Sequence, residues 1–189
     1  VAITRVDGHA LLVNQAAMDI SGITNTSKTS GGEFIKKDGK LTGVLIDNAM
    51  GFIKTPIVTK KEKIQGLLDA QKISLSYGLT TVDDAGLSKE TLELIDSLHK
   101  SNDLKIRIYG MISLSDANLD YYLNKGVTKT DRLNIRSFKV YGDGALGSRG
   151  AAMKESYSDR ENHFGAMIYS PEKYIDVARR IANSEFQMN

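Results

Sequence analysis

Apolar positions along this chain recur at two spacings, and the pattern changes near residue 58. Before that point it is mixed. Residues 3–6 form a short β-branched run, and Leu12, Ala16, Ala17 and Ile20 fall at helical spacing over residues 10–21, with Gly22 as a C-terminal stop. Residues 33–46 read as a hairpin, with Asp38-Gly39 as the turn dipeptide and Val44 to Ile46 on the returning strand. Residues 1–58 are therefore expected to form an inserted subdomain segment with a β-hairpin.

From residue 59 the pattern becomes regular. Thr59-Lys60-Lys61-Glu62 has the spacing of a capping box, and Ile64, Leu67, Leu68, Gln71 and Leu75 follow on one stripe until Gly78. A strand is predicted over 79–82, ending in Asp83-Asp84, and Ser88 can cap a helix that buries Leu92, Ile95 and Leu98. A strand over 106–112 comes next, then a helix from Ser115 through Leu119, Tyr122 and Leu123 to Gly126, then a strand over 135–141. After a long loop, Ser170-Pro171 opens a helix expected to turn Ile175, Ala178, Ile181 and Ala182 inward, and residues 186–189 begin one more strand.

Helices and strands alternating over short connections imply parallel strands, so the fold class is α/β. A closed TIM barrel, (β/α)8, needs eight strands and about 250 residues, so residues 59–189, with about four parallel strands, supply only part of one. A complete small doubly wound domain fits the same pattern. A chain that stops in mid-strand favours the partial barrel and an internal fragment.

Composition narrows the function. The hydrophobic share of 41% is that of a globular protein, and 25 basic against 23 acidic residues leave a net charge of +2. The basic residues are dispersed, which argues against a nucleic-acid partner. No apolar run approaches the roughly 18 to 20 residues of a membrane span in this segment, and localisation stays open between cytoplasm and export. The absence of cysteine excludes disulfides and thiolate metal sites, leaving His9, His99 and His163 as a thin supply of metal ligands.

In either architecture functional residues collect at the carboxyl ends of the strands, which points to Asp83-Asp84, residues 111–115 and residues 139–150. Gly142, Gly144 and Gly147 match a GxGxxG pattern behind a predicted strand. The match is weak, because a dinucleotide loop runs straight into a helix and here Asp143 would face the phosphates. No Gly-Lys-Ser or Gly-Lys-Thr follows, so a P-loop is excluded. Alternation sets Lys139 and Tyr141 on the face opposite Phe138 and Val140. Pointing into a closed interior, the lysine must be paired or chemically altered. Snorkelling outward fits the pattern equally well.

The segment Lys139-Val140-Tyr141-Gly142-Asp143-Gly144-Ala145-Leu146-Gly147-Ser148-Arg149-Gly150-Ala151 resembles a signature of the YtcJ-like branch of the amidohydrolase superfamily, which includes N-substituted formamide deformylases. Thr4-Arg5-Val6-Asp7-Gly8-His9 with Asn14, Gly43-Val44-Leu45-Ile46-Asp47, and Gly78-Leu79-Thr80-Thr81-Val82-Asp83-Asp84-Ala85-Gly86 resemble further signatures in the same order. The resemblance covers nearly the whole chain.

It implies a barrel hydrolase that uses divalent metal, usually zinc, to activate water against an amide or related C–N bond of a small-molecule substrate. It also implies roles residue by residue. Lys139 matches the family's metal-binding lysine, which reaction with carbon dioxide converts to a carbamate, a two-oxygen ligand able to bridge metals roughly 3.5 to 4 Å apart. His9 matches a histidine beside the substrate, Asp84 a group orienting a ligand or capping a turn, and Arg5, Asp7, Asp143 and Arg149 the substrate side and its loop. His99 and His163 are read as surface residues. The family's His-x-His pair is absent from the sequence, so the chain is expected to hold no metal tightly and to be inactive alone. The open sheet of a part-barrel leads to an expectation of self-association through the strands and residues 186–189. The alternative class is a non-catalytic binding protein of the same fold, as with relatives described as exoenzyme regulatory proteins.

Overall fold

Antiparallel pairing organises the first residues of the chain. β1 (Ala2–Thr4), β2 (Ala10–Val13), β3 (Gly32–Lys37) and β4 (Lys40–Asp47) form one sheet in the order β1-β2-β4-β3. The β3–β4 hairpin turns on Asp38 and Gly39, both at positive φ (51° and 74°), the backbone that an Asp-Gly dipeptide favours. The computed structural model describes residues 1–189 and divides them into two compact units, Val1–Pro56 with Tyr141–Ser170, and Ile57–Val140 with Pro171–Asn189. Residues 141–170, grouped by sequence with the barrel segment, thus cluster with the first 56 residues instead.

Within the first unit the helix expected from residue 10 begins only at α1 (Gln15–Ser21). Residues 10–13 are strand, because Ala10, Leu11 and Leu12 pair with Ile46, Leu45 and Val44. Asn14 starts the helix by accepting the Ala17 N–H at 3.1 Å. Met18 is its buried residue and Ile20 is exposed, so the periodicity through Leu12 and Ile20 was coincidental. Leu11, Val13, Met18, Ile23, Phe34, Leu45 and Ala49 form the core.

The second unit carries a sheet in the order β5 (Thr81–Leu87), β6 (Arg107–Ser113), β8 (Leu133–Lys139), with β7 (Thr128–Lys129) antiparallel on β8 and β9 (Gln187–Met188) parallel to it. α2 (Lys60–Ser76) begins with the predicted capping box: the Glu62 N–H donates to the Thr59 hydroxyl at 3.3 Å and the Thr59 N–H to the Glu62 carboxylate at 2.8 Å. Ser88 and Ser115 cap α3 (Lys89–Lys100) and α4 (Asp116–Lys125) as expected. α5 (Pro171–Ala182) buries Val177 and Ile181, whereas Ile175 is exposed, so its inner stripe is rotated from the one expected. Leu92, Ile95, Leu119, Val177 and Ile181 from the helices pack with Ile108, Ile112, Leu133 and Phe138 of the sheet in one core. No helix is long and apolar enough to cross a membrane.

Candidate active site

The register of β2 on β4 pairs Ala10 with Ile46, which sets His9 opposite Asp47 at the next step. The backbone continues the ladder there, the Asp47 N–H donating to the His9 carbonyl at 3.2 Å. The side chains meet as well, with His9 Nδ1 2.7 Å from Asp47 Oδ1. A carboxylate oxygen accepts, so the contact requires a proton on Nδ1. Asp47 is 6% exposed at its side chain, against 31% for His9.

Asp47 also has φ 47° and ψ −119°. That is the conformation of the first central residue of a type II′ turn, dominated by glycine, and a residue with a Cβ held there costs about 1–3 kcal/mol. Space around the carboxylate is equally constrained. A Cβ added at Gly144 or Gly150 would lie 2.4 or 2.3 Å from Asp47 Oδ2.

Arg5 and Asp7 pair with each other on the exposed turn before β2, through contacts of 2.7 and 2.6 Å. The Arg5 guanidinium holds the Asp7 carboxyl down to about 2. Asp7 accepts the His9 N–H at 3.1 Å, so this pair braces the turn that carries His9. Asp143 accepts the Ala152 N–H at 2.8 Å and shapes its loop. Arg149, at φ 59°, binds Asp159 through two contacts of 3.0 and 2.6 Å. Gly147 lies inside a single 3-10 turn, Leu146–Ser148, and that turn stops at Arg149, so the glycine pattern opens no phosphate-binding helix.

A cavity of about 240 Å³ in this unit is lined by Glu33, Asp47, Arg149, Arg160 and His163 with glycine backbone around them. His163 is therefore not the surface residue expected: its Nε2–H donates to the Arg149 carbonyl at 2.8 Å and its ring lies 5.7 Å from that of Tyr157. The sequence alone gives Glu33, Asp47 and Arg160 no role. Only the Gly43 to Asp47 motif pointed at one of them.

In the second unit, Lys139 ends β8 beside Ser113 of β6, on the face that Tyr109 and Met111 share. Its neighbours Phe138 and Val140 are buried. Asp84 stands opposite Gly110, whose Cβ direction points at Leu92 of α3, so Asp84 belongs to the helix-covered face. Asp83, paired with Tyr109, shares the face of Lys139. Asp84 lies inside β5 rather than at its end, and although it is exposed, partial desolvation raises its carboxyl pKa. His99 is partly buried, not on the surface; its Nε2–H donates to the Ile106 carbonyl at 3.0 Å and its Nδ1 is buried without a partner. No group of three His, Asp or Glu side chains converges that could hold a metal ion.

The sequence model of the amidohydrolase family matches residues 1–188. The chain belongs to the amidohydrolase family. This amidohydrolase chain is 33% identical over 201 residues to protein LONG AFTER FAR-RED 3 of Arabidopsis thaliana, covering 97% of the chain and 34% of that protein. It is 27% identical over 189 residues to the amidohydrolase homologue YtcJ of Bacillus subtilis (strain 168), covering 95% of the chain and 35% of YtcJ. It thus spans about a third of the length of the curated relatives it matches. Two crystal structures share its fold, those of uncharacterized metal-dependent hydrolases from Pyrococcus horikoshii OT3 (TM-score 0.71, 21% identity) and Pyrococcus furiosus (TM-score 0.70, 23% identity). Each similarity covers 99% of this amidohydrolase chain, and 38% and 39% of those structures.

Proposed function

We propose that this chain is one segment of a metal-dependent hydrolase that cleaves an amide or related C–N bond in a small molecule. The observation that carries the reading is Lys139, at the carboxyl end of a parallel strand, on the face opposite the helices and next to Ser113. That is where a barrel presents reactive groups. The one-sided helical cover of β5, β6 and β8 supports a partial barrel. Lys139, in its carboxylated form, would contribute one ligand to a divalent metal, zinc by the family's chemistry, with the other ligands outside these residues. The segment alone is therefore inactive in this reading.

In the first unit, His9 is the group able to accept or return a proton through Nε2. Arg5 and Asp7 hold its turn, and Asp143 and Arg149 hold the loop, so these four act on substrate through placement. Asp84, on the helix-covered face, has no such part.

The test is a polypeptide carrying this segment at the length of its relatives, purified with zinc and assayed on a panel of amides. Hydrolysis that Lys139→Ala abolishes supports the reading. A folded full-length protein that binds a small molecule and hydrolyses none of the panel would instead make it a binding or regulatory member. We also propose that the segment associates with itself. The surface for this differs from the strands expected, because Ile106, Ile108, Ile112, Ile135 and Phe138 are buried in their own unit, while Ile73, Leu75, Tyr77 and Leu79 are exposed.

A further inference from the structure

We infer that Asp47 is a positioning residue that fixes His9 in the Nδ1–H tautomer, leaving Nε2 as the proton acceptor of the site. The inference rests on the proposed hydrolase reading for what His9 does, and on geometry for what Asp47 does. Three features converge on this carboxylate. Its backbone adopts φ 47°, ψ −119°, where glycine would sit without strain. Its side chain is buried and meets His9 Nδ1 at 2.7 Å. Gly144 and Gly150, a hundred residues away in sequence, leave its second oxygen room that any Cβ would remove. A turn that needed only the backbone path would be better served by glycine at 47, so the carboxylate itself is what the strained conformation retains.

The orientation matters because an unconstrained neutral imidazole favours the Nε2–H form, in which the outward nitrogen donates and cannot accept. A carboxylate on Nδ1 reverses that preference and holds the ring plane. Nε2 can then take a proton from the water that adds to the substrate carbonyl carbon, with no rearrangement of the ring. The resulting imidazolium keeps its Nδ1–H bond to Asp47 and returns the proton to the departing amine.

Ring ¹⁵N spectra of His9 in this chain, recorded with the ring neutral, test the assignment directly. The wild type is expected to show Nδ1–H. Asp47→Gly, which relieves the backbone and so retains the fold, is expected to shift the ring to mainly Nε2–H. A wild-type ring in the Nε2–H form, or a folded Asp47→Gly that keeps the wild-type tautomer, overturns the inference. In the full-length enzyme, Asp47→Gly and Asp47→Asn are expected to lower kcat on the order of 10- to 100-fold with KM little changed. Adding Asp47→Gly to His9→Gln is expected to have no further effect. An unchanged kcat, or an effect additive with His9→Gln, rejects the positioning role. Absence of any hydrolysis defeats the functional reading alone, since the spectra still decide the tautomer.

Discussion

The carboxylate of Glu33 on β3 accepts both terminal N–H groups of Arg160, at 2.7 and 2.8 Å. Those hydrogen bonds, more than the charge alone, hold the Glu33 carboxyl below its usual value of 4.5. A carboxyl depressed by folding contributes stability that is fully present above pH 4.5 and is lost as the pH falls through its folded value. Both side chains are partly solvated, 40% for Arg160 and 37% for Glu33, so solvent screening limits the pair to about 1 kcal/mol. Arg160→Ala should lower the melting temperature at pH 7 and reduce the loss on acidification below pH 4.5. Equal acid sensitivity in both proteins would show that the pair does not matter.

His99 gives a second pH dependence with a different midpoint. Burial lowers its pKa from 6.5, outweighing the Ile106 carbonyl, with Arg132 lowering it further and Asp96 raising it. Folding favours the neutral ring, so its contribution is complete above pH 6.5 and lost as the pH falls through the folded value. Replacement of His99 by Gln should flatten the stability profile just below pH 6.5 in denaturant titrations. A slope identical to wild type there would assign the acid limb to other groups.

Gly165 has φ 66°, and a Cβ there would stand 1.9 Å from the Ala151 carbonyl oxygen. Neither backbone can yield cheaply, so Gly165→Ala should cost about 2–4 kcal/mol. Gly147, with open space around it and an ordinary φ, is the control, and its alanine variant should stay within about 0.5 kcal/mol of wild type. Thermal melts of the two variants side by side check this. Similar losses in both would mean the loop is not packed as described.

The exposed apolar residues Ile73, Leu75, Tyr77 and Leu79 should make the apparent mass rise with concentration in sedimentation experiments. Ile73→Lys with Leu75→Lys should abolish the rise without unfolding α2. A monomer across the micromolar range in the parent chain would remove self-association from the description.

Local chemistry is what the sequence displays well. Asp38-Gly39, Thr59 with Glu62, Ser88 and Ser115 each act within a few residues of themselves, and each stands where its chemistry predicts. Long-range competition is what it hides. Residues 10–13 carry a helix-like spacing but gain more by pairing with β4, and α5 turns Val177 rather than Ile175 inward. The sequence displays His9 and Lys139 as candidates because their motifs are contiguous. Asp47 lay in a recognised motif without a role, since its strain and its bond to His9 exist only once two strands are in register. Arg160 and His163 carry no local signal at all, as their partners are Glu33 and the Arg149 carbonyl.

Splitting the first unit between Val1–Pro56 and Tyr141–Ser170 has a consequence for the order of synthesis. A ribosome releases the β3–β4 hairpin long before Gly144, Gly150 and Arg160 exist as polypeptide. Until they arrive, Glu33 has no guanidinium to meet and Asp47 has no walls around its second oxygen. The hairpin can close early on its turn, but the His9–Asp47 pair acquires its full setting only afterwards. Maturation of this half of the molecule is therefore a late, long-range event, and pulse-labelled nascent chains should gain protease resistance there only when residue 170 has cleared the exit tunnel.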